Sequence, residues 1–290
     1  MAGTELKAAI YGIKRQQLFT FSRRIMQMKP YIPKFTVPKA PPREEFKTGL
    51  VSISFRQSTQ REILEMMKAA DLKYIEWGSD VHAPHKSLDM LSDLAKMQNM
   101  YGVCAASYGT YFRIGVTPTE ELTDYIKAAK TLGTDILRLW AGTKCGAEMS
   151  IPETERLMDA ALGCAEIAER EGVTLCLECH QKTFTERVDD ALMLLENVYS
   201  DRFRMYWQPF CEKTVDENLA YLKKVEPYVE HIHVFNWVGS HRYPLADGIE
   251  DWKRYIAALS RPRTMLLEFM PDDLITSLPR EAEALREIIK

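Results

Sequence analysis

The chain has 290 residues, 46% of them hydrophobic and 27% charged, with a net charge of −3. That length buries one large core or two ordinary ones, and the slight acidity counts against a protein devoted to polyanionic nucleic acid. No apolar run of about 18 residues occurs, so no membrane span is expected, and the N-terminus lacks the apolar core and small-residue cleavage site of a secretory signal.

Residues 1–48 stand apart. Residues 1–47 carry ten Lys/Arg against three acids. LKAAIYGIKRQQLFTFSRRIMQM reads as one basic, partly amphipathic helix. KPYIPKFTVPKAPP follows, and its prolines forbid a continuing helix and favour an extended arm. The expected role is packing, including pairing of chains into a homo-oligomer. A membrane-surface or nucleic-acid contact is the weaker alternative.

From residue 49 to residue 290 the pattern is regular and predicts one domain. LVSISF (50–55) reads as a strand, then 59–72 as a helix, KYIEWG (73–78) as a strand and 87–100 as a helix. YGVCAAS (101–107) is the third strand. The helix over 117–133 opens on Thr117 and Pro118 and ends at Gly133. DILRLWAG (135–142) precedes a long helix over 150–172. VTLCLE (173–178), a helix over 186–198, RFRMYW (202–207), a helix over 215–226 and YVEHIHVFNW (228–237) continue the series. A helix near 249–260, TMLLEF (264–269) and a last helix near 278–290 complete it.

Eight strand–helix repeats of this length predict a (β/α)8 TIM barrel in the α/β class. The strands read as apolar on both faces, as helix-covered parallel strands are. A doubly wound open sheet is the structural alternative, but no Gly-rich turn follows the first strand, which ends in FRQ. The six cysteines (104, 145, 164, 176, 179, 211) form no CxxC pair, and strand alternation sends Cys176 and Cys179 to opposite faces. They read as reduced thiols, which predicts a cytoplasmic location.

Barrel chemistry sits at the C-terminal ends of strands. Strand five ends in Glu178. Strand six ends in Trp207 and Gln208. Strand seven carries His231 and His233, and strand eight ends in Glu268. Two carboxylates in a mostly apolar mouth repel unless something neutralises them. A divalent cation does so, and the mixed set Glu178, Gln208, His233 and Glu268 suits Mn2+, Mg2+, Co2+ or Zn2+. His233 lies nearer the strand end and is the expected ligand; His231 is one layer deeper. The fitting chemistry is proton movement next to a carbonyl, with glutamate as the base.

At these residues the sequence resembles the xylose isomerase-like barrel family, which includes sugar and sugar phosphate isomerases and epimerases. The likeness runs from residue 50 to about 270 and rests on ISFRQ, ADLKYIEWGSDVHAPH, LRLWAG, LECHQKTFT, YWQP, HIHVFNW, RYPLADG and LLEF. ISFR, the E-x-H-x-x-T-x-T run and the last-strand glutamate are similar to the 3-dehydroshikimate dehydratase branch. The resemblance implies one divalent metal held by Glu, Asp, His and Glu, with the glutamates, here Glu178 and Glu268, also acting as acid and base. Family epimerases show Asp-x-x-His after strand six, where this chain has Gln208-Pro209-Phe210-Cys211. The amide lowers the negative charge around the metal, which weakens its binding and leaves it more electrophilic.

The rim fits a polar, sugar-like ligand. His85, His180 and Arg242 are the first candidates for substrate binding, followed by His82, Tyr108, Tyr111, Trp140 and Lys182. Trp237 and Trp252 read as packing residues. The leading expectation is a metal-dependent isomerase or epimerase of a sugar or related polyhydroxy compound. A metal-dependent dehydratase of the 3-dehydroshikimate type is the alternative enzyme, and a sugar-binding barrel impaired in catalysis is the non-enzymatic one. The family's DNA-repair endonucleases imply Asp-x-x-His and Asp-x-His, where this chain has Gln-x-x-Cys and His231-x-His233, so no nucleic-acid partner is expected.

Overall fold

The computed structural model describes residues 46–290. The expected N-terminal arm therefore lies outside the described residues, apart from its last three. Eight parallel strands close into a barrel: β1 (Lys47–Val51), β2 (Tyr74–Gly78), β3 (Cys104–Ile114), β4 (Ile136–Ala141), β5 (Thr174–Glu178), β6 (Phe203–Trp207), β7 (Val229–Val234) and β8 (Thr264–Leu267). Each pairs with its neighbour in sequence, and β1 pairs with β8 to close the ring. The intervening helices are α1 (Gln60–Ala69), α2 (Leu88–Met100), α3 (Leu122–Leu132), α4 (Ile151–Glu171), α5 (Val188–Val198), α6 (Val215–Val225), α7 (Ile249–Ala257) and α8 (Leu278–Ile289). The (β/α)8 expectation holds, and among the described residues no helix is long and apolar enough to cross a membrane.

Local chemistry sets the element ends. Thr59 with Glu62, Ser150 with Glu153 and Thr214 with Glu217 form capping boxes that start α1, α4 and α6. Gly133 and Gly172 end α3 and α4 in the left-handed conformation. Several boundaries shift, and the third strand runs over Cys104–Ile114 against the expected 101–107. The α3 helix starts at Leu122, after a 3-10 turn, because the Thr117 hydroxyl accepts from the Arg113 N–H instead of capping a helix. The first strand stops at Val51, and Ser52–Phe55 is a 3-10 turn. There the Ser52 hydroxyl accepts the Gly78 N–H and the Ser54 hydroxyl accepts the Phe269 N–H, so side chains cap β2 and the end of β8 in place of further ladder.

The core between barrel and helices takes the outward residues of each strand, among them Ile75, Trp77, Leu137, Leu139, Leu175, Leu177, Met205, Trp207 and Ile232. Cys179 packs in this outer layer and Cys176 in the small apolar cluster with Val51, Tyr206 and Leu266, which confirms their opposite faces. All six cysteines are unpaired. The inward faces correct the expectation of strands apolar on both sides. Glu76, Ser107, Arg138, Glu178, Tyr206, His231 and His233 are all buried. Strand period two points alternate residues to opposite faces, so an apolar count along the strand is dominated by its outer row.

Candidate active site and metal centre

Four adjacent strands deliver the donors. Glu178 is the last residue of β5, Gln208 follows β6, His233 is on β7, and Glu268 follows β8. The Nδ1 atom of His233 lies 3.0 Å from Gln208 Oε1. It lies 3.5 Å from Glu178 Oε1 and 3.5 Å from Glu268 Oε2. One donor atom from each of Glu178, His233 and Glu268 falls within 4.8 Å of the others, and all three residues are buried. The four residues that the sequence singled out do converge.

Two partners went unread in the sequence. Glu76 of β2 is fully buried, with Oε2 3.5 Å from His233 Nε2. Arg138 of β4 is equally buried and bridges two acids, with Nε 3.1 Å from Glu76 Oε1 and Nη1 3.1 Å from Glu178 Oε2. Ser107 and Tyr206 extend the network, the serine hydroxyl donating to Glu76 Oε2 at 3.0 Å and standing 2.6 Å from the tyrosine hydroxyl. The signal was present: single charges at inward positions of YIEWG and ILRLWA, strands otherwise apolar.

The charges sort the titrating groups. Burial alone would depress the His233 imidazole, but the carboxylates of Glu268 and Glu76 outweigh it and push it up to about 10. Burial raises Glu178, yet Arg138 and then His233 hold it well below the usual carboxylate range. Glu268 has no such guanidinium contact. Burial pushes it up, beyond what His233 takes back.

Glycine makes room for this cluster. A Cβ on Gly109 of β3 would overlap Glu76 Oε1 and stand 3.0 Å from Arg138 Nη2. Gly109→Ala is expected to cost about 1–3 kcal/mol of stability, read as a shifted urea midpoint with an unchanged slope. A midpoint equal to the wild type would mean that the pair relaxes freely.

The donor set fits a divalent cation. It consists of two carboxylate oxygens, an amide oxygen and an imidazole nitrogen, all buried, in the mixed O/N chemistry such ions take. The Glu178 Oε2 and His233 Nε2 atoms make no hydrogen bond within the protein and are held by ion contacts alone. With Nδ1 on a cation, the Nε2–H points to Glu76, the carboxylate partner that metal-binding histidines use to fix their tautomer.

Above the donors lies a cavity of about 420 Å3, lined by Glu178, Gln208 and Glu268 together with Arg56, Arg138, His180, Gln181 and Cys211. Its aromatic wall comprises Tyr111, Trp140, Phe210, Phe235, Trp237 and Phe269. His180 and Trp140, both expected at the rim, line it and meet edge to face at 5.9 Å. Arg242 stands behind the wall, its guanidinium over Trp237 and Phe269 and paired with Asp273.

The other rim candidates sit elsewhere. His82 is buried, with one ring nitrogen 3.2 Å from Ser52 Oγ and the other 3.1 Å from the Ser58 carbonyl oxygen. Tyr108 is buried and donates to the Ala83 carbonyl. His85 stacks on Tyr125 at 4.0 Å. Lys182 is exposed and outside the cavity lining. For the three rings the reason is packing around the loop after β2, which holds His82, Ala83 and His85. Trp252 packs as expected, donating to the Phe235 carbonyl, but Trp237 is corrected to a cavity residue carried by a two-stranded hairpin, Trp237–Val238 with His241–Arg242.

Solved structures share this architecture. The probable 3-DHS dehydratase of petrobactin synthesis from Bacillus anthracis superposes with a TM-score of 0.68 at 17% identity, over 83% of this chain and 99% of that one. D-allulose 3-epimerase from Methylomonas gives 0.62 at 14% identity, over 87% and 100%. A xylose isomerase-like TIM barrel protein from Mycobacterium smegmatis, in complex with magnesium, gives 0.63 at 12% identity, over 86% and 98%. No curated protein matches the sequence. The sequence profile of the xylose isomerase-like TIM barrels matches residues 64–288, a span running from α1 into α8, and the chain belongs to that family.

Proposed function

We propose that the chain is a divalent-metal-dependent isomerase or epimerase of a sugar or related polyhydroxy compound. One observation carries the reading. Two buried glutamates flank His233 at the cavity floor, and their surroundings push them in opposite directions, Glu178 towards the ionised form and Glu268 towards the protonated one. Pairs of titrating groups split in this way mark acid and base roles. The solved relatives include an L-ribulose 3-epimerase and a D-allulose 3-epimerase, which agrees with the chemistry.

Glu178, Gln208, His233 and Glu268 would hold the metal. When bound, it supplies Lewis-acid polarisation of the substrate carbonyl. Glu178, held in its ionised form, takes the proton from the neighbouring carbon, and Glu268, which leans to its protonated form, returns one. The aromatic wall of Tyr111, Trp140, Phe210, Phe235, Trp237 and Phe269 keeps water from the exchanging proton and offers faces for the apolar side of a sugar ring. His180 at the cavity edge favours a second reading, a lyase, since it is a proton carrier outside the donor set that can serve a leaving hydroxyl.

The test is incubation in D2O with Mn2+ or Mg2+ and a panel of ketoses, aldoses and cyclic polyols. Isomerase or epimerase action gives products that gain deuterium and keep their mass otherwise. Loss of one water from the product selects the lyase. No deuterium uptake and no product across the panel would leave the barrel as a binding protein.

A further inference from the structure

We propose that Arg138 is the positioning residue of the metal centre: by spanning Glu76 and Glu178 it fixes Glu178 so that one carboxylate oxygen is left for the cation. The inference rests on the metal centre described above and goes beyond it. Four contacts immobilise the guanidinium: Glu76 Oε1 at 3.1 Å, Glu178 Oε2 at 3.1 Å, the Thr110 carbonyl oxygen at 3.3 Å and the Trp140 ring at 4.7 Å. Glu178 Oε2 is thereby engaged, and Oε1 is the oxygen that faces His233 Nδ1. Gly109 keeps the space that the pair occupies.

The span needs a planar fork. Arginine presents several N–H groups in fixed directions, whereas lysine offers one compact ammonium on a flexible stem. The charge count also explains the neutral Gln208. Glu76, Glu178 and Glu268 bring three negative charges, Arg138 brings one positive and a dication two, so the buried cluster sums to zero. An aspartate at 208 would leave one buried negative charge in excess.

Two variants separate positioning from simple neutralisation. Arg138→Lys keeps the charge and loses the fork. The double variant Glu76→Gln with Arg138→Met removes equal and opposite charges and leaves Glu178 with His233 as its remaining ion contact. Co2+ is the probe, followed by calorimetric titration and by its visible absorption band in the full-length protein. Both variants are expected to bind Co2+ at least about tenfold more weakly and to show an altered band. A double variant with wild-type affinity and band would reduce Arg138 to a counter-charge and overturn the proposal. Should either variant fail to fold, a Mn2+-loaded crystal of the wild type decides. Arg138 on one Glu178 oxygen and Mn2+ on the other supports the proposal; a Glu178 chelating with both oxygens and Arg138 swung away overturns it. Wild-type protein that binds neither ion would instead sink the metal centre itself, a distinct result.

Discussion

Glu268→Gln is expected to lower turnover by about 10²–10⁴-fold, the usual contribution of a positioned acid–base group, while the protein stays folded. Glutamine has nearly the same shape, and the buried carboxyl it replaces already leans to its neutral form. His233 keeps Glu178 and Glu76 as partners, so no charge is stranded by the change. Glu178→Gln should behave differently. It leaves the Arg138 guanidinium with Glu76 as its one remaining ion-pair partner and weakens the metal set as well, so turnover and bound metal fall together. The measurements are the rate of deuterium exchange at saturating Mn2+ and the metal content after gel filtration. Glu268→Gln enzyme within an order of magnitude of the wild type would remove Glu268 from the chemistry.

The barrel was legible because its evidence is periodic. Eight apolar strand cores alternate with capped helices, and each repeat repeats the inference. The four donors were legible because strand ends are where barrels place chemistry, and Glu178, Gln208, His233 and Glu268 all fall there. Glu76 and Arg138 were harder to see. They lie inside their strands, and their meaning depends on register: Glu76 pairs across to Ser107, and Gly109 pairs across to Arg138. Such closeness across β2, β3 and β4 exists only once the sheet has closed. The rim was read in part, since His180, Trp140 and Tyr111 do line the cavity while other candidates do not. His82 and His85 sit in the loop after β2, whose turns no periodicity encodes, whereas Tyr108 lies inside β3, which continues to Ile114 instead of ending at residue 107 and turns this ring outward beside Trp77. Trp237 was misjudged likewise, since only the short hairpin after β7 turns its ring towards the cavity.

Proton and cation are expected to compete for His233, with opposite effects of pH on the metal-free and metal-loaded protein. In the metal-free protein the imidazole titrates at about 10, against an unfolded value near 6.5. A raised pKa stabilises the folded state fully below the unfolded value, and the gain is lost as pH rises through the folded value. Stability of the metal-free protein should therefore fall from pH 6.5 upward, by about 1.4 kcal/mol per unit for one proton. Glu268, raised as well, acts in the same direction. His82, His85 and His231 have lowered values and change stability only below about 6.5, while the buried cysteines and tyrosines, raised above values near 9 and 10, act only beyond about 8.5. The window from about 6.5 to about 8.5 thus isolates the metal centre. A cation on Nδ1 needs the neutral ring, so its association constant should rise about tenfold per pH unit across that window. Melting curves in EDTA should slide downward as pH rises, curves in excess Mn2+ should not, and the gap between them should widen. A gap independent of pH would mean that the cation does not bind where His233 holds its proton.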